Sequence, residues 1–184
     1  MQPFGIIGTC VLAAVVYGVV HDQITARVCV EYFTVGHAKI IDSEDPTVLG
    51  LFWGVWATWW AGLLLGLPLA LAARAGSRPK RSLRSLVRPI LLLLALMAGF
   101  ALVSSIIGYM LASTGTIVLP DSLKEKLPAQ KWAAFQACAF AHQMSYNVGF
   151  VGGGMTVAWV WVSRKRLALR KPHPPRVHDA PYGC

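Results

Sequence analysis

Three histidines, His21, His37 and His142, lie outside the C-terminal tail, and each has polar company. Asp22 follows His21, Glu31 comes shortly before His37, and Tyr146 and Asn147 stand about one helical turn after His142. Imidazole nitrogen and carboxylate oxygen together suit Zn, Cu, Fe or Mn. His21, Asp22, Glu31, His37, His142, Tyr146 and Asn147 are therefore the set expected to bind a metal ion or a small polar ligand. They contain neither H-E-x-x-H nor H-x-x-x-H and come from separate segments, so only the fold can bring them together. Taken singly, each histidine reads as a hydrogen-bonding residue at a membrane interface.

Other chemistries are narrower. His21 and His142, opposed near one membrane edge, would suit axial ligation of haem b, and a haem b or quinone-linked redox subunit is an alternative reading. Cys29 and Cys138 fall on the same side of the topology below, which allows a disulfide or, equally, two unpaired small apolar residues. The four cysteines form no C-x-x-C, so zinc-ribbon and thioredoxin chemistry have no support. Phosphate-cradling loops and a nucleophile elbow are missing too. No residue carries a catalytic assignment, and the balance leans away from an enzyme.

The elements that must position these side chains are four apolar stretches, roughly 3–20, 48–73, 89–113 and 132–163, none of which contains a charged residue. They predict an all-α membrane protein, four transmembrane helices in one bundle spanning residues 1–163. The last stretch is too long for one crossing, about 48 Å against about 30 Å of hydrocarbon, so 140–163 is assigned to the bilayer and 132–139 to an outer extension. Residues 74–88 hold six basic side chains and no acid, and the segment from Arg164 holds six against Asp179 alone. Short basic loops stay in the cytoplasm, so both termini are expected inside and residues 21–47 and 114–131 outside. Residues 164–184 read as a basic, proline-rich disordered tail. The net charge of +9 resides in these flanking clusters and points to anionic lipids, not nucleic acid.

Gly50, Gly54, Gly62 and Gly66 recur at small-residue spacing and predict close approach of another helix. That helix belongs either to this chain or to a partner. The second case would make the protein a non-catalytic accessory subunit, or a homo-oligomer, docked through the stripe. Trp59 and Trp60 lie deep in the same helix and read as packing or as a wall for a flat ligand. Residues 24–35 are β-branched and aromatic and favour an extended conformation, although Ile24, Val28, Tyr32 and Val35 would also line a helix. The apolar centre of this loop predicts an ordered segment folded back over the helices. Ser122–Glu125 matches a capping box and predicts one helical turn.

The segment from His21 to His37, with Asp45-Pro46-Thr47 and the tryptophan-rich helix after it, resembles small, functionally uncharacterised bacterial multi-pass membrane proteins. The resemblance implies a bacterial inner-membrane location and no activity. The leading expectation is an integral membrane protein whose outer rim binds a metal ion or a small polar ligand.

Overall fold

The described part of the chain, residues 2–169 of a computed structural model, contains helices and loops and no strand. α1 spans Gln2–Val28, α2 Glu31–Thr34, α3 Pro46–Trp56, α4 Trp59–Arg74, α5 Arg84–Ser113, α6 Asp121–Lys124 and α7 Trp132–Leu169. Asp45 starts α3 from its side chain. Its Oδ1 accepts from the backbone N–H of Thr47 at 2.8 Å and of Val48 at 2.9 Å, with Pro46 already holding helical φ behind it.

α1, the α3–α4 unit and α5 are each long and apolar enough to cross a membrane. Their outward faces carry Leu12, Val16, Val20, Leu64, Leu71, Leu91, Leu92 and Leu102, all more than half exposed. Such a surface is a liability in water and is at home against acyl chains, so these helices fit an integral membrane protein. α7 is less apolar, because Gln136, His142, Gln143, Tyr146, Asn147 and several glycines interrupt it. α1 packs along α3 and α4, α5 packs along α7, and α4 touches α7.

The glycine stripe is where α1 comes closest. A Cβ on Gly54 would stand 2.5 Å from Val19 Cα, and one on Gly62 would stand 2.6 Å from Val11 Cα; Gly50 faces Gln23 and Gly66 faces Cys10 and Ile7. α1 of the same chain fills the stripe, which leaves no free docking face there.

Between α3 and α4 the helix breaks at Ala57 and Thr58, where the sequence suggested one continuous span. Tyr146 Oη donates to the Ala57 carbonyl at 3.1 Å, and the Thr58 hydroxyl donates back to Gly54 O. Gly18 of α1 lies against Thr58 and the same carbonyl. Back-bonding by a threonine and a side chain inserted into the carbonyl ladder are two recognised causes of a kink.

Residues 24–35 differ from the extended reading. α1 continues to Val28 and α2 follows almost at once. The β preference loses to packing: Ala26 and Phe33 are buried with Leu49 and Trp53, while Thr25 donates to His21 O at 3.0 Å. The connection between α1 and α3 thus folds back on the helices. A second buried cluster joins Cys29 and Cys138 with Leu119, Leu127 and Phe135. Both are free thiols, and burial pushes the Cys29 thiol up to about 11. The turn at 121–124 starts two residues earlier than the capping-box reading, with Pro120 at the N-cap, and carries no side-chain cap.

At the opposite end α7 continues to Leu169, so residues 164–169 are helical and not part of an irregular tail; the remainder of the predicted tail lies outside the described residues. Arg164 is fully buried. It donates to Ala72 O at 2.6 Å, Ala75 O at 2.7 Å, Pro79 O at 2.8 Å and Arg78 O at 3.1 Å, closing the C-terminus of α4 and the turn after it. The last carbonyls of a helix lack intrahelical donors and carry the negative end of its dipole, so a guanidinium satisfies both needs.

Candidate functional site

His21 and Asp22 are consecutive in α1, so their side chains diverge by about 100° and reach α7 from two directions. His142 sits between them. Its Nε2 and Asp22 Oδ1 are 2.9 Å apart, and its Nδ1 donates to Cys138 O at 2.9 Å while facing His21 Nε2 at 3.4 Å. With Nδ1 committed as a donor, the Nε2–Asp22 contact must hold a proton of its own, carried by the imidazole or the carboxylate. The side chains of His142 and Asp22 are only 13% and 6% exposed, so water does little to screen the pair. One ligand atom from each of His21, Asp22 and His142 lies within 4.8 Å of the others.

Aromatic rings enclose the cluster. Tyr17 stacks on His21 at 5.7 Å between centroids, and Tyr32 covers His142 at 4.5 Å. Tyr17 Oη and Ser145 Oγ are 2.8 Å apart. Below lies a cavity of about 60 Å³, lined among others by Tyr17, Thr58, Met97, Ser145 and Tyr146 and large enough for water. It adjoins a largely apolar chamber of about 90 Å³ between α1, α4, α5 and α7, with which it shares Ala14, Ala61, Met97 and Tyr146.

The predicted set divides here. His21, Asp22 and His142 come together, and Tyr146 lines the cavity beneath them with its hydroxyl turned to Ala57 O. His37 stands in the next layer: its Nδ1 donates to Tyr32 O at 2.8 Å, and its ring lies 4.6 Å from that of Trp53. Glu31 points elsewhere, 3.3 Å from Lys131 Nζ and accepting from Cys29 Sγ at 3.4 Å. Asn147 is exposed and accepts from Gln143 at 3.0 Å. Tyr17, Tyr32 and Ser145 escaped the sequence reading. Tyr17 lies four residues before His21 and Ser145 three after His142, the spacing that places helical neighbours on one face. Trp60 stacks on Tyr146 at 6.4 Å with one face turned outward.

Haem ligation between the two histidines conflicts with this geometry. Their rings meet edge to face with centroids 4.5 Å apart, too close to sandwich a porphyrin.

Burial holds His37 below its ordinary value of 6.5, with lesser contributions from the Tyr32 carbonyl, which raises it, His142, which lowers it, and Asp22, which raises it. The unfolded segment takes up a proton at higher pH than the docked one, so docking is strongest above about pH 6.5 and weakens as pH falls towards the lowered folded value. Amide exchange across residues 31–37, corrected for intrinsic rates, should therefore be faster near pH 5 than near pH 8 in the wild type. His37→Gln should flatten that difference.

Set against known proteins, this chain matches no family model, and neither the curated proteins nor the solved structures contain a match to it.

Proposed function

We propose that the chain is a four-pass protein of a bacterial inner membrane, with both termini in the cytoplasm, whose extracytoplasmic rim binds one divalent transition-metal ion through His21, Asp22 and His142. The observation that carries this reading is the convergence of two imidazoles and a carboxylate, drawn from α1 and α7, within 4.8 Å. Ionisable side chains at membrane depth are costly and seldom idle. α7 supplies the fourth passage, and the contrast between the basic 74–88 loop and the acidic 21–47 loop supports the orientation.

A metal ion would take the place of the proton between Asp22 and His142, so binding releases a proton and weakens in acid. Three protein ligands beside a water-sized cavity make an open site, able to present the ion to a further ligand. Tyr17 and Tyr32 would keep the imidazoles oriented and bulk water out.

Zinc and cobalt titrations of the purified protein, read by elemental analysis, provide the test. One ion per chain is expected for the wild type and for His37→Ala, with loss of the ion in His21→Ala, His142→Ala and Asp22→Asn. Absence of saturable binding, or equal retention in all variants, would overturn the reading.

A further inference from the structure

At the other end of the molecule a groove of about 580 Å³ runs between α5 and α7, lined among others by Ser85, Arg88, Leu92, Leu96, Met155 and Trp159. Its apolar walls are open: Leu92 is 60% exposed and Met155 68%. From Ser85 to Leu96 it extends about 16 Å along α5, close to one leaflet of a hydrocarbon core about 30 Å thick. Arg88, the charged residue that lines it, stands at one end.

That end carries uncompensated positive charge. α4, α5, α7 and residues 74–88 contain no acidic residue. Arg81 stacks over Trp159, its guanidinium carbon 5.5 Å from the ring centroid, and its Nε is buried without a hydrogen-bond partner. Arg84 and Arg88 are exposed at the start of α5, whose N-terminus no side chain caps. An uncapped helix N-terminus flanked by arginines favours a phosphate.

We propose that this groove is a binding site for one anionic phospholipid, its phosphate held by Arg81, Arg88 and the start of α5 and one acyl chain lying along Leu92, Leu96 and Met155. Charge complementarity selects the lipid. An aliphatic chain alone would be served by any neighbour in the bilayer, whereas an acid-free arginine cluster favours an anion at the same depth. A free phosphate would satisfy the arginines and leave the leaflet-length groove unexplained.

Trp159 reports on occupancy. The protein is reconstituted in phosphatidylcholine vesicles doped with phosphatidylglycerol brominated on its acyl chains, and the quenching that disappears in Trp159→Phe is assigned to the groove. That component should show roughly thirtyfold preference for phosphatidylglycerol over brominated phosphatidylcholine, at about fivefold per cation. Arg88→Gln, an exposed change that leaves folding intact, should remove about fivefold, and Arg81→Gln with Arg88→Gln nearly all. Equal quenching by the two lipids would reduce the groove to ordinary boundary lipid and overturn the proposal. Survival of the preference in the double variant, or its abolition by millimolar inorganic phosphate, would overturn it as well.

Discussion

Arg164→Ala is expected to lower the stability of the protein by several kcal/mol, at about 1–3 kcal/mol for each buried carbonyl left without a donor. The carbonyls of Ala72, Ala75, Arg78 and Pro79 all depend on this one guanidinium, and its removal leaves the carbonyls at the end of α4 without donors. Arg164→Lys should recover only part of the loss, because an ammonium cannot reproduce a planar fork that serves four acceptors. The turn between α4 and α5 should open first. Thermal unfolding in detergent measures the size of the effect, and tryptic cleavage after Lys80 and Arg81 measures its location. A wild-type transition with uncut turn residues in Arg164→Ala would show that the network contributes nothing.

Gly54→Leu and Gly62→Leu are expected to be as damaging, by overlap instead of loss. Even a Cβ at these positions falls 2.5 Å and 2.6 Å from α1 backbone atoms, which have no rotamer to change. Overpacking in a core typically costs about 1–3 kcal/mol, and displacing a whole helix should lie at or above the top of that range. Gly99→Leu and Gly154→Leu are the controls, since a Cβ there meets nothing within 4 Å. Monodispersity and melting temperature in detergent should fall for the first pair and hold for the second. The same contact positions the site, because α1 carries His21 and Asp22; the damaging pair should also lose metal.

Much of the fold was legible because lipid imposes simple rules. Uncharged runs marked α1, the α3–α4 unit and α5, and the small-residue spacing marked the seam that α1 occupies. The break at Ala57 and Thr58 had only a weak local signal, a threonine able to bond back to Gly54 O, and its other cause comes from Tyr146 on α7. Residues 24–35 were misleading because side-chain type indicates β preference, while burial of Ala26 and Phe33 decides the outcome. Within the site, residue type drew attention to His21, Asp22 and His142, which the fold brings within 4.8 Å of one another. It could not separate them from Glu31 and Asn147, because which face of a helix turns inward depends on its rotation against its neighbours. Arg164 misled in the opposite direction. Counted with the basic residues of a disordered tail, it is helical, and its side chain turns back to cap α4.

In the metal-loaded protein His21, Asp22 and His142 should surround the ion. X-ray absorption at the zinc edge on the loaded, purified protein tests it most directly, by identifying the atoms around the ion. Two imidazoles and one carboxylate oxygen are predicted, with an additional light-atom ligand from the adjoining cavity and loss of this zinc signal in His142→Ala. A sulfur-containing shell, which would direct attention to Cys29 and Cys138, or a spectrum unchanged in His142→Ala, would contradict the account.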